Sequence, residues 1–119
     1  GRWGKVRGER DPGMEKTPAP ISVAAASRLP WKPGRAAEVF VDGDLEVRFT
    51  RRPTKGMQAP HLRDELYFVA SGTARYRADD MVTDVGLGDL LFAAAHIVHG
   101  FEEFSDDFAI WVVFYGPQK

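Results

Sequence analysis

From Ala37 onward the chain is cut every few residues by a turn former, and no stretch between cuts is long enough for a domain-building helix. AEVFV (37–41) meets Asp42-Gly43-Asp44 and gives way to LEVRFTR (45–51). An Asp-Gly pair between β-rich runs marks a hairpin, because both residues tolerate the positive φ of a tight turn. A loop carrying Pro53, Gly56 and Pro60 leads to ELYFVA (65–70), and Ser71-Gly72 turns into TARYRA (73–78). Asp79-Asp80 opens onto a strand at 81–85, and Gly86-Leu87-Gly88-Asp89 onto another at 90–93. A further strand is expected at 99–104, and Ser105-Asp106-Asp107 precedes FAIWVVFY (108–115). That last run is apolar and β-branched, as a strand buried on both faces or closing a barrel must be. Eight or nine short strands without intervening helices predict an all-β sandwich or barrel of jelly-roll type.

The first twenty residues mix charges with Gly and Pro and show no strand or helix period. Gly1 fits the remnant of a cleaved tag, and Met14 is a candidate natural start. ISVAAASR (21–28) can form one short helix, ended before Pro30, and Trp31 with Pro33-Gly34 reads as a hinge. The expected division is therefore an N-terminal arm over 1–36 and a β domain over 37–117. The arm is expected to wrap the barrel or a partner subunit.

The 119 residues suit a single core. With no cysteine, disulfide frameworks, thiolate zinc sites and cysteine nucleophiles are excluded. A net charge of −1 offers no field for nucleic acid or anionic lipid, so neither is expected as a partner. No apolar run approaches the roughly 20 residues of a membrane span. The expectation is a cytoplasmic protein.

The chain has three histidines, His61, His96 and His99. Glu65 follows His61 by four residues, where loop gives way to strand. Two imidazoles and a carboxylate on one side of a divalent ion leave positions open for water, substrate or dioxygen. Spacing alone favours a second reading, with His61 an exposed loop residue and His99 a hydrogen-bonded strand start.

Two segments resemble the paired motifs of the cupin superfamily. The first motif has the form G-x5-H-x-H-x3-4-E-x6-G, and Gly56-Met57-Gln58-Ala59-Pro60-His61-Leu62-Arg63-Asp64-Glu65, continuing to Gly72, is similar to it. The spacing from Glu65 to Gly72 matches, and His61 stands at the second histidine. Ala59 replaces the first histidine, and the lead-in from Gly56 is shorter. The second motif has the form G-x5-P-x-G-x2-H-x3-N; Gly88 through Glu103 resembles it, with His99 at the histidine. Ala94 replaces its proline, His96 its glycine and Glu103 its asparagine. The resemblance covers about Ala37 to Pro117. It implies a cupin double-stranded β-helix, a metal held by His61, Glu65 and His99, and a homodimer. The ion would be one divalent cation, with Fe, Mn, Ni, Zn and Cu all compatible with nitrogen–oxygen ligation.

Alternation from Glu65 places Tyr67 and Val69 inward, and makes Tyr67 the first choice for a catalytic hydrogen-bond donor, with a core tyrosine as the alternative. His96, at a turn, is expected mainly to face solvent. Gln58 and Asp64 are spare ligand candidates, Asp64 more simply a solvated loop carboxylate. Arg48, Arg75 and Arg77 lie on strands, where the outer face is the default for an arginine. An inward one would suit an anionic substrate. Trp111 and Phe101 fit cavity wall, core or dimer contact. The function implied is a small-molecule metalloenzyme, dioxygenase- or isomerase-like. The alternative is a non-catalytic cupin that binds a small ligand, with metal structural or absent.

Overall fold

A computed structural model describes residues 19–32 and 35–119. Gly1, Met14 and the Pro33-Gly34 hinge lie outside the described residues, as does most of the expected arm. Among the described residues one helix, α1 (Val23–Ser27), precedes nine strands. These are β1 (Ala37–Asp42), β2 (Leu45–Arg51), β3 (Gly56–Gln58), β4 (Asp64–Ser71), β5 (Thr73–Ala78), β6 (Met81–Gly86), β7 (Leu90–Ala93), β8 (His99–Phe104) and β9 (Ala109–Tyr115). The strands form two antiparallel sheets, ordered β1-β2-β9-β4-β7 and β3-β8-β5-β6. The fold is all-β, as the turn punctuation predicts.

The helix is shorter than the expected 21–28. Ser22 caps it by accepting a hydrogen bond from the Ala25 amide, and Arg28 ends it two residues before Pro30. Ala26 is buried against Phe49 and Ala109, with Trp111 packed alongside. This part of the arm therefore lies on the outer face of its own chain's larger sheet. The same contact settles Trp111, which meets Phe49 edge-to-face at 4.9 Å and is not cavity wall.

Central β9 pairs with β2 and β4, which explains why its sequence is apolar on both faces. Period-2 alternation splits it: Trp111 faces α1, while Ile110 and Val112 enter the core between the sheets. That core also takes Tyr67 and Val69 from β4, Tyr76 from β5, Leu91 and Ala93 from β7, and Phe101 from β8. On the opposite side of β4 and β7, Phe68, Leu90 and Phe92 stand exposed. These three residues form an apolar patch on that face.

The sequence reading leaves β3 as loop. Three residues pair with β8, Gly56 with Phe101, Met57 with Gly100 and Gln58 with His99. Gly100 permits it: a Cβ there would meet the Gly56 carbonyl oxygen at 2.1 Å. Gly72, the last glycine of the first motif, is similarly required, with φ +73 and a Cβ position 2.7 Å from the Phe108 backbone.

Candidate metal centre

The β4 strand delivers two inward side chains, Glu65 and Tyr67, and β8 delivers His99 at its first residue. His61 comes from the loop before β4, and its carbonyl accepts a hydrogen bond from the His96 amide at 2.9 Å. Together, one donor atom each from His61, Glu65 and His99 lie within 4.8 Å of one another. Glu65 Oε1 is 3.6 Å from His61 Nε2 and 2.8 Å from His99 Nε2. Donors bound to one ion at about 2.0–2.2 Å stand roughly 3 Å apart when adjacent and about 4 Å when opposite. The observed spacings need only small side-chain adjustments to meet that requirement, and the donor set, two neutral nitrogens and a carboxylate, suits a divalent transition metal. These residues fit such an ion.

Hydrogen bonds orient the donors. His99 Nδ1 lies 2.9 Å from the Ile97 carbonyl oxygen, which turns Nε2 toward Glu65. The Tyr67 hydroxyl donates to Glu65 Oε1 at 2.8 Å and is also 2.8 Å from His99 Nε2. Burial first, then the charge of Glu65, pushes Tyr67 far above its ordinary pKa, so it stays protonated. Burial, with the charge of Glu65 adding, pushes Tyr76 up to about 12. Burial alone would lower His99, yet its hydrogen bonds to Glu65 and Ile97 and the Glu65 charge carry it above the usual histidine value. Tyr76 is 1% exposed, and its hydroxyl has no hydrogen-bond partner among the described residues. It sits in the same aromatic cluster, 6.4 Å from the His99 ring and 5.3 Å from Phe101 between centroids.

A cavity of about 880 Å³ opens beside the triad, lined by His61, Glu65, Tyr67, Gln58, Phe101 and Phe114 among others. The volume lies in the range of small-molecule sites. Phe101 is thus both core and wall.

The remaining candidates separate. Gln58 lines the cavity opposite His99 in the β3–β8 register, whereas Ala59, at the motif's first histidine, is exposed beyond the strand end. His96 is exposed at φ 69, a left-handed turn conformation that accounts for a glycine at that motif position, and its ring meets the Lys119 carbonyl. It does not join the triad. Asp64 corrects the expectation of a solvated carboxylate. It is 5% exposed, accepts from the Ala95 amide at 2.8 Å and pairs with Lys119. The Lys119 hydrogen bond, then the Ala95 amide, holds its carboxyl below the usual range. Of the strand arginines, Arg75 and Arg77 pair with Asp84 and Glu102 outside the cavity, while Arg48 lines it. Tyr76 escaped the sequence reading, although alternation between Arg75 and Arg77 was a sufficient signal for an inward side chain.

No protein-family model matches the chain. An uncharacterized protein of Streptomyces coelicolor is 37% identical over 66 residues, 56% of this chain and 63% of that protein. The match thus spans less than two thirds of the curated relative's length. Among solved structures, a cupin-2 domain protein from Shewanella frigidimarina matches with TM-score 0.65 at 14% identity, over 81% of this chain and 94% of that one. KdgF from Halomonas sp. matches with TM-score 0.61 at 19% identity, over 73% of this chain and 84% of that one. DMSP lyase DddQ from Ruegeria pomeroyi matches with TM-score 0.53 at 21% identity, over 61% of this chain and 39% of that one. At these identities the likeness establishes the fold.

Proposed function

We propose that this chain, which shares the cupin fold, is a metal-dependent enzyme acting on a small molecule, with His61, Glu65 and His99 as ligands. The observation that carries this reading is the convergence of three donor atoms within 4.8 Å beside a cavity of about 880 Å³. When bound there, a divalent ion would supply Lewis acidity or, as ferrous iron, dioxygen chemistry. Among the solved structures similar to this chain, DddQ is a lyase by name, which adds weight to catalysis on this scaffold.

The chain's own residues supply orientation and a hydrogen-bond donor. Tyr67, held protonated, acts as a hydrogen-bond donor and not as a base. Through its bond to Glu65 Oε1 it fixes the carboxylate at the edge of the cavity, where its hydroxyl is the hydrogen-bonding group this reading assigns to a bound ligand. Phe101, Ile110, Val112 and Phe114 form an apolar wall that excludes water from one side.

The cytoplasmic location and homodimer expected from the sequence belong to the same proposal. Among the described residues, no helix is long and apolar enough to cross a membrane. The exposed Phe68, Leu90 and Phe92 supply an apolar face for a second copy. Sedimentation at micromolar concentration reads the dimer, and a monomer there removes it.

Elemental analysis of protein purified without chelator or nickel resin tests the centre, alongside a His61→Ala, Glu65→Ala double variant. About one equivalent of metal in the parent, lost in the variant, is the expected result. No uptake after exposure to iron, manganese, nickel and zinc would leave the second reading, a barrel that holds a small ligand without catalysis. That reading draws on the Glu65–Tyr67–His99 hydrogen bonds, which can satisfy one another with no ion present.

A further inference from the structure

The chain as a whole is almost neutral, with 16 Lys and Arg against 17 Asp and Glu. Its cavity is not. Lys32, Arg35, Arg48, Arg51, Arg52 and Arg63 line it, against two carboxylates, Glu46 and Glu65. Glu46 is already engaged: its carboxylate pairs with Arg48 and, at 2.7 Å, with Arg63. Burial disfavours ionisation of Glu46, but the hydrogen bonds and charges of Arg63 and Arg48 outweigh it and hold the carboxyl below its ordinary range. Lys32, Arg35, Arg51 and Arg52 have no ion pair among the described residues, so their positive field falls on the cavity mouth.

Register places one of these cations with respect to the triad. Arg48 pairs with Val112, and Val112 pairs with Tyr67, in one row across the sheet. Glu46, Phe114 and Glu65 form the neighbouring row on the same face. Two strand spacings of about 4.8 Å separate the backbones of Arg48 and Tyr67 by roughly 10 Å, the length of a small organic molecule. Arg48 is half-buried; its Nη1 donates to the Ala36 carbonyl at 3.0 Å and its Nε to Glu46. Its Nη2 makes no hydrogen bond among the described residues and lies 3.8 Å from Glu38.

The exit of β2 adds an independent observation. Adjacent strand residues face opposite sides, yet Thr50, Arg51 and Arg52 all line the cavity. The break comes at Arg52, whose φ of 47 is a left-handed conformation that favours glycine or asparagine. An arginine held there is strained, the kind of outlier that collects at ligand sites.

We infer that the cavity takes a small organic anion, its carboxylate or phosphate oxygens held by Arg48 with Arg51 and Arg52 and its opposite end directed at Tyr67 and the triad. The inference rests on the proposed site for what happens to that opposite end, but anion capture itself requires no metal.

The test uses the full chain treated with EDTA. Mono-, di- and tricarboxylates and sugar phosphates are screened by melting shift, each beside its neutral amide or dephosphorylated counterpart. At least one anion should raise the melting temperature where its neutral counterpart does not. Calorimetric titration of that anion should show its Kd weakened about tenfold or more in Arg48→Gln. The Arg51→Gln, Arg52→Gln double variant should weaken it comparably; both residues are exposed, so a misfolded Arg48→Gln would not cost the experiment its readout. Whether carboxylates or phosphates respond identifies the source of the oxyanion. No anion outperforming its neutral counterpart, or unchanged Kd in the double variant, would overturn the inference. Anion binding beside a failed metal analysis would remove the metalloenzyme reading and leave this one standing, and metal uptake without anion preference would do the reverse.

Discussion

Glu65 Oε1 lies 2.8 Å from Nε2 of His99, and both side chains are 1% exposed. The other ring nitrogen of His99 faces the Ile97 carbonyl, which only accepts, so Nδ1 carries a hydrogen. A bare lone pair on Nε2 would then point at a carboxylate oxygen. Either a proton or a cation must lie between them. In metal-free protein a proton does, and the raised pKa of His99 favours its place on Nε2, within hydrogen-bond reach of Glu65 and the Tyr67 oxygen.

That relationship sets the pH response of the metal-free protein. Folding favours the protonated form of His99, whose pKa is raised. The stabilisation is therefore fully present below the unfolded value of about 6.5 and fades as pH rises through the higher folded value. Urea unfolding in EDTA should give lower stability at pH 8.5 than at pH 6, and His99→Gln should flatten the difference. Stability rising with pH in the parent but not in the variant would contradict the charged assignment.

Loading with metal should reverse the requirement, because ligation needs a neutral Nε2. At a free metal concentration of 100 times Kd, the gain is about 2.7 kcal/mol by mass action. His99→Ala should abolish that gain, read as the difference in melting temperature with and without metal. An equal loss of stability in both states would mark His99 as a packing residue only.

Tyr67→Phe removes one hydroxyl from a buried network and leaves the ring contact with Phe101, 5.4 Å between centroids, in place. Metal content should stay at the parent level. Once a substrate is found, turnover should fall about 10²-fold, the usual share of a hydrogen-bond donor aimed at developing charge. A turnover unchanged from the parent removes Tyr67 from the chemistry and leaves it in the core.

Most of the sheet architecture was legible because β-strand alternation and turn chemistry are local properties. Glu65, Tyr67 and Val69 inward, with Phe68 outward, follow from period two alone. What escaped depends on segments distant in sequence. Asp64, next to Glu65 on the strand, faces the other way, and that side is covered by Ala95 and Lys119, 31 and 55 residues further on. Arg48 differs from Arg75 and Arg77 only in which side of its sheet bounds the cavity, a tertiary fact that strand propensity does not encode. The triad itself was reached through motif resemblance; His61 and His99 lie 38 positions apart in the sequence, and nothing local joins them.

The three-residue strand β3 was the least legible element, and it yields the most direct test of how the site is framed. Between Pro53 and Pro60 the sequence offers no alternation, and pairing exists only because Gly100 lets the Gly56 backbone approach. A methyl at position 100 would overlap backbone, 2.1 Å from the Gly56 oxygen and 2.9 Å from the Met57 Cα, and neither can turn aside as a flexible side chain would. Gly100→Ala must therefore push β3 off β8 or distort β8 itself. Overpacking of this kind costs about 1–3 kcal/mol. Because Gln58 pairs with His99 in the same ladder, the displacement should also move the cavity wall beside the triad. The expected result is a lower melting temperature together with weaker metal retention in a competition with a chelator. Met57→Ala serves as the comparison, since that side chain is 40% exposed and its loss leaves the backbone pairing intact. If Gly100→Ala melts and retains metal like the parent, β3 does not frame the site, and the cavity wall at Gln58 is independent of the β8 ladder.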